Sequence, residues 1–301
     1  MKQNEKIIVV GSSNTDMTIK SPEIPRPGET VLGGEFKMGA GGKGANQAVA
    51  AKRLGGDVTF ICKVGNDMFG DKSLKSYDEE GIDVSHIMRC DSPSGVALIL
   101  VDSDAENCIS VASGANAEIT PDDIESAADT VRNAGILLLQ QEIPIESVLK
   151  AAQIASEAGT FVILNPAPAC SLPDDIYKYV DLIIPNQTEA EFYTGIKVFD
   201  EFSAEKAASK LLSKGVRNVI ITMGSYGSMA FTDEGNKFFT ASRKVRAIDT
   251  TAAGDTFCGA VAVALSEGKS LEDAVGFATL ASSLAVQKMG AQESIPYREN
   301  L

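Results

Sequence analysis

Ile136-Leu-Leu-Leu-Gln-Gln-Glu142, an amphipathic stretch from Ile145 to Glu157, and Phe161-Val-Ile-Leu164 together read as strand, helix, strand. Neither apolar run alternates with polar residues, so each strand is expected to be covered on both faces, as when helices flank a parallel sheet. The same pattern extends in both directions. Apolar runs recur at Ile7–Val10, Leu182–Ile184 and Val219–Thr222, and helical patterns at Asp122–Asn133 and Ala204–Ser213. Strands alternating with helices predict an α/β three-layer sandwich on a mostly parallel central sheet. The Ala-, Val- and Leu-rich segments Phe257–Leu265 and Leu271–Met289 predict two further helices.

Two regions break the pattern. Asp16–Ile19 and Thr30–Met38 form one pair of short, partly alternating runs, and Val96–Val101 and Asn107–Val111 form another. Little helix separates the members of a pair, as expected of a small sheet with one wetted face. Each pair leaves the main sheet and returns. It therefore reads as a β lid, approximately residues 15–38 and 95–112, on a single domain spanning residues 1–301. A lid with one apolar face could also pair with its twin, so a homodimer through the lid is expected.

Composition narrows the function. With 44% hydrophobic and 23% charged residues the chain has ordinary globular character. No apolar run approaches the roughly 20 residues that span a bilayer. Met1–Lys6 leads into Ile7–Val10 without a signal-peptide layout, so a cytoplasmic location is expected. A net charge of −14 argues against nucleic-acid or anionic-membrane partners. It also means that any phosphate must be held by local devices, such as helix N-termini, a placed lysine or a metal. One histidine, His86, cannot make a multi-histidine metal site. Five scattered cysteines without a C-x-x-C pair argue against a disulfide framework or structural zinc.

Several segments carry chemistry. In Asp249-Thr-Thr-Ala-Ala-Gly-Asp-Thr-Phe257, small residues precede an apolar helical run, so the amides around Ala252–Asp255 are expected at a helix N-terminus, where they favour an anion. By itself this segment leaves Asp255 open between a helix cap and a base beside a bound phosphate. Gly39-Ala-Gly-Gly-Lys-Gly-Ala-Asn46 lacks both the strand context of a dinucleotide fold and the Ser or Thr that follows a Walker lysine. It reads as a loop where backbone, Lys43 and Asn46 meet a polar small molecule, or as a tight turn into a helix. Polar residues gather after strands: Asn14 and Asp16 after the first, Glu142 after Leu139. With Asn46 they supply the donors and acceptors that vicinal hydroxyls need. Asn186 and Glu189 open a helix and could orient magnesium-bound waters, unless Asn186 merely caps it. Thr222-Met-Gly-Ser-Tyr-Gly227 offers glycines beside which a flat base could lie, unless Gly224 marks a simple turn.

Taken together, these segments resemble the signature regions of the ribokinase group within the phosphofructokinase-B-like carbohydrate kinases, over essentially the whole chain. The signatures are Gly39–Ala50 and Asp249–Phe257, and Asn165-Pro-Ala-Pro-Ala169, Pro185–Glu191 and Gly290-Ala-Gln292 look like the ribokinase branch. The resemblance implies transfer of a phosphoryl group from ATP to the 5-hydroxyl of D-ribose. It assigns Asp255 as base, and Ala252, Ala253 and Gly254 as an anion hole. The sugar would meet Asn14, Asp16, Gly42, Lys43, Asn46, Glu142 and Asp255. Asn186 and Glu189 would serve Mg-ATP, and Thr222, Met223, Gly224, Ser225, Tyr226, Gly227, Gly254, Asp255 and Thr279 would line the nucleotide site. An activating potassium ion would lie among Asp249, Thr251, Ala285, Lys288, Gly290 and Ser294. Kinases for deoxyribose, fructose or a nucleoside, and a catalytically silent sugar-binding module, are the competing expectations.

Overall fold

The computed structural model describes residues 6–104 and 106–301, so Met1–Glu5 of the N-terminal reading and Ala105 of the lid reading lie outside it. In chain order the first half runs β1 (Lys6–Val10), β2 (Asn14–Lys20), β3 (Glu35–Gly41), α1 (Lys43–Arg53), β4 (Asp57–Gly65), α2 (Met68–Glu79), β5 (Ile87–Cys90), β6 (Gly95–Val101) and β7 (Asn107–Ala112). There follow α3 (Pro121–Ser126), α4 (Ala128–Arg132), β8 (Ile136–Leu139), α5 (Ile145–Glu157), β9 (Phe161–Leu164), β10 (Leu182–Ile183), α6 (Gln187–Thr194) and α7 (Glu201–Leu212). The remainder is β11 (Asn218–Thr222), β12 (Gly227–Thr232), β13 (Lys237–Ala241), α8 (Ala253–Ser266) and α9 (Leu271–Ala285).

Nine strands form the main sheet in the order β13-β12-β11-β10-β9-β8-β1-β4-β5, parallel from β11 to β5, with β12 and β13 added as an antiparallel hairpin. Successive residues of each buried strand serve opposite layers. In β1, Ile8 and Val10 pack with Ile124, Val131, Val148, Ala204 and Leu211 of α3, α4, α5 and α7. Ile7 and Val9 pack with Ala48, Val261 and Ala278 of α1, α8 and α9. This two-sided burial is why the strands read as unbroken apolar runs, and it produces the expected three layers. Chain order runs outward from β1 through β4 on one side and resumes with β8 on the other. The carboxyl ends of β1 and β8 therefore flank a topological switch point, where open α/β sheets bind ligands.

A second sheet, in the order β3-β2-β6-β7, supplies the predicted small β element. Its register aligns Asp16, Ala97 and Val111 in one row and Thr18, Ile99 and Ile109 in the next, all on one face. Met17, Ile19, Phe36, Met38, Leu98 and Leu100 occupy the other face. The outer face is solvent-exposed, as expected of a wetted face, but its side chains are apolar rather than polar. Both faces carry apolar side chains, and Leu98 and Phe36 are 55% and 61% exposed.

Three boundaries also differ from expectation. The run at Thr30–Met38 becomes a strand only at Glu35, after irregular chain with positive φ at Gly28 and Gly33. Asp122–Asn133 breaks into α3 and α4 at Ala127, although a Thr120 capping box starts the first helix well. The last helix stops at Ala285 rather than Met289, because Val286–Gly290 turns to hydrogen-bond the 248–249 segment. No helix among the described residues is long and apolar enough to cross a membrane.

Candidate active site

The site begins where α1 meets the end of β1. A Cβ on Gly44 would lie 2.5 Å from the Ser12 nitrogen, so only glycine lets the helix start against this strand end. Gly42 at φ 88 makes the turn that enters α1. Glu142, beyond β8, accepts hydrogen bonds from the Ser12 hydroxyl at 2.6 Å and the Lys43 backbone N–H at 2.9 Å. The glycine-rich segment is therefore a tight turn and also the wall of a cavity, which Gly42, Lys43 and Asn46 line.

Asp255 comes from the far end of the chain. It is the third residue of α8, whose N-terminus carries no side-chain cap. Its carboxylate does not turn back to the helix amides. Oδ2 accepts from Asn46 Nδ2 at 3.0 Å and Oδ1 from Gln47 Nε2 at 2.9 Å. The cap reading of Asp255 is thereby excluded. Ala252 precedes the helix at φ 58, ψ 10, the one non-glycine residue of positive φ among those described. Backbone held there costs on the order of 1–2 kcal/mol. It aims the opening amides of α8 at the cavity, which Ala252, Gly254 and Asp255 line. The Ala253 N–H donates to the Thr250 carbonyl at 3.2 Å, leaving the neighbouring amides as the freer donors.

The cavity has a volume of about 400 Å³. Asn14, Asp16, Gly42, Lys43, Asn46 and Glu142 share it with Asn186, Glu189, Thr222, Thr251, Ala252, Gly254 and Asp255. Its electrostatics are strongly coupled. Burial, then Glu142, Glu293 and Asp255, push the Asp16 carboxyl up to about 6. Burial works to lower the Lys43 ammonium, but Asp255, Glu142 and Glu189 outweigh it and hold its pKa raised. Lys43 is thus a stable cation amid carboxylates, lining the cavity of a chain of charge −14. Asn46 Oδ1 is buried and has no protein partner, a polar atom waiting for a ligand.

On the other side of the cavity, Asn186 and Glu189 form a reciprocal capping box. The Glu189 N–H donates to Asn186 Oδ1 at 2.9 Å, and the Asn186 N–H donates to Glu189 Oε2 at 2.8 Å. Asn186 does cap a helix, and both residues still face the cavity. Burial raises the Glu189 carboxyl, against the hydrogen bond from Asn186 and the charge of Lys43. A hard cation nearby would relieve that penalty, and a carboxylate with an amide oxygen suits magnesium and its waters. Thr222 reaches the cavity at the end of β11, but Met223 packs in the core, and Gly224–Tyr226 forms a short turn into Gly227 of β12. Tyr226 packs against Phe239, tilted at 46° with ring centroids 5.0 Å apart, outside the cavity. Thr279 is buried in α9, its hydroxyl bonded to the Val275 carbonyl.

The residues read as a cation site are assembled only in part. Asp249 Oδ1 accepts from the Thr251 N–H at 2.9 Å and Oδ2 from the Gly290 N–H at 2.9 Å, which ties the two loops together. Lys288 N–H binds the Ala285 carbonyl, and Ser294 folds back on Ala291. No cluster of three or more His, Cys, Asp or Glu among the described residues is placed to hold a metal.

The model of the pfkB family of carbohydrate kinases matches residues 4–298. The chain belongs to this family. A ribokinase of Haemophilus influenzae is 44% identical over 97% of this chain and 96% of its own length. A deoxyribokinase of Salmonella typhi is 37% identical over 96% and 95%. The structure of Arabidopsis thaliana ribokinase complexed with ribose and ATP superposes with a TM-score of 0.91, at 34% identity, covering 98% of this chain and 97% of that one.

Within this pfkB-family cavity stand residues that sequence reasoning passed over. Ala97, Ile99, Ile109 and Val111 close it from the small sheet. Their period-two spacing in β6 and β7 was the available signal. Thr250 and Asn165 also line it, and the latter lies in a segment already conspicuous as Asn165-Pro-Ala-Pro-Ala169. Ser12 and Gln47, buried behind the cavity wall, hold Glu142 and Asp255.

Proposed function

We propose that this chain transfers the γ-phosphoryl group of ATP to the 5-hydroxyl of D-ribose, giving ribose 5-phosphate and ADP. The observation that carries this reading is the Asp255 carboxylate, facing the cavity between two amide donors and directly behind the uncapped amides of α8. Asn14, Asp16, Lys43, Asn46, Glu142 and the Gly42 backbone bind the sugar. As the hydroxyl oxygen bonds to phosphorus and the bond to the ADP oxygen breaks, Asp255 accepts the hydroxyl proton. The amides of Ala252, Gly254 and, less directly, Ala253 donate to the phosphoryl oxygens, where charge stabilisation rather than covalent chemistry dominates. A weak base suffices for so loose a transition state.

Asn186 and Glu189 would orient the hydration shell of magnesium, which when bound would neutralise polyphosphate charge. Thr222–Gly227 and Thr279 belong to the nucleotide side, the first through backbone. Potassium, when bound, would be held by Asp249 together with Thr251, Ala285, Lys288, Gly290 and Ser294, and would steady the loop that leads into Ala252. Within a single domain over residues 1–301, the sheet formed by about residues 15–38 and 95–112 is a lid that excludes water, a competing nucleophile. Its apolar outer face supports a homodimer. The reaction is assigned to the cytoplasm.

The 37% identity to a deoxyribokinase makes deoxyribose the second substrate to test. A panel of ribose, deoxyribose, fructose and nucleosides, assayed for ADP release with Mg-ATP in potassium and then in sodium, decides between them. Ribose should give the highest kcat/KM, and sodium should lower the rate. A higher kcat/KM for another sugar would replace the substrate assignment, and equal rates in both salts would remove the potassium site.

A further inference from the structure

The carboxylate of Asp255 is held by two neighbouring residues of α1 that occupy different surroundings. Asn46 lines the cavity, and its Oδ1 is left for a ligand. Gln47 is fully buried. Its Nε2 donates to Asp255 Oδ1 at 2.9 Å and to Asn165 Oδ1 at 3.0 Å, and its Oε1 accepts from Gln140 Nε2 at 2.6 Å. Asn165 Nδ2 in turn donates to the Ile184 carbonyl at 2.9 Å.

The sense of this chain of amides is fixed from one end. A backbone carbonyl can only accept, so Asn165 must point its nitrogen at Ile184 and its oxygen at Gln47. Gln47 must then present its nitrogen to both Asn165 and Asp255, and its oxygen to Gln140. The sense is kept even though it leaves Gln140 Oε1 buried without a partner. A reversed Gln47 would turn its amide oxygen toward the Asp255 carboxylate, two acceptors facing each other.

We infer that Gln47 is a positioning residue for Asp255, oriented by Asn165 and Gln140, which holds Oδ1 from behind and leaves the cavity-facing lone pairs free for the substrate hydroxyl. The donor is neutral. It orients the carboxylate by hydrogen bonding alone. The strands supply rigidity: Gln140 follows β8 and Asn165 follows β9, so the reference frame for the base is the central sheet rather than the loops around the cavity.

This inference rests on Asp255 serving as the base, and the tests keep the two apart by referring each variant to the unaltered enzyme with whichever sugar that enzyme turns over. Gln47→Leu should lower kcat roughly 10- to 100-fold, the scale of a misplaced reacting group, while the sugar KM changes less than about three-fold. Gln47→Glu keeps the volume and supplies a test if the leucine variant fails to fold. The introduced carboxyl can donate to Asp255 only when protonated, so kcat of this variant should fall steadily as pH rises through the range where that carboxyl ionises, a limb absent from the unaltered profile. Sugar affinity measured by calorimetry confirms that each variant is folded. A raised KM with unchanged kcat in Gln47→Leu, or a Gln47→Glu profile parallel to that of the unaltered enzyme, would overturn the assignment.

Discussion

Asp255 and Asp16 face the same cavity, and their environments set different expectations. Asp255→Asn keeps the shape but can accept from only one of the two amide donors on Asn46 and Gln47, so sugar binding should largely survive while kcat falls by orders of magnitude; near-normal turnover of that variant would remove Asp255 as the base. Asp16 is a stability question as well. Burial and the neighbouring carboxylates raise it to about 6, so protonation favours the folded state. The favourable contribution is complete below the ordinary carboxylate value and is lost as pH rises through about 6. Asp16→Asn should therefore raise Tm more at pH 7.5 than at pH 4.5 while weakening sugar binding. A Tm difference independent of pH in thermal melts would show that the charge carries no such penalty. Asp255 and Asp16 were legible because each sits in a short, chemically conspicuous segment. Gln47 was not, since its meaning depends on a carboxylate 208 positions away.

At the scale of elements, α1 and α8 must meet closely for Asn46 and Gln47 to reach Asp255. Gly259 makes this possible: a Cβ there would lie 2.7 Å from the Ala50 Cβ and 2.9 Å from the Gln47 carbonyl oxygen. Gly259→Ala should destabilise the protein by about 1–3 kcal/mol in urea unfolding and lower kcat as the base separates from its donors. An unchanged kcat would show that the helices part without moving Asp255. At the start of α8 the change runs the other way. Ala252→Gly removes the left-handed penalty, offset in part by chain entropy, and should stabilise by up to about 1 kcal/mol in urea unfolding. The helices and buried strands were legible from periodicity, which reports which faces are covered. The break between α3 and α4 and the early end of α9 were not, because loop hydrogen bonds such as Gly290 to Asp249 override a sequence that would continue as helix.

The three-layer architecture followed from alternation alone, but strand order did not. Local patterning cannot tell that β1 lies between β8 and β4, and that placement is what locates the cavity. The apolar outer face of the small sheet bears on the whole assembly. Light scattering should give the mass of two chains, and Leu98→Glu, at a position 55% exposed, should give one. A monomeric unaltered protein would end that reading. The distance in sequence between Asp255 and Asn46, 209 positions, has another consequence. During synthesis β1 and α1 emerge long before α8 and α9, so Ile7, Val9 and their neighbours wait with one side covered only in part, by α1. A ribosome paused before residue 253 therefore displays a sticky half-sheet for chaperones to guard, and docking of the late helices buries that surface and completes the catalytic centre in one event.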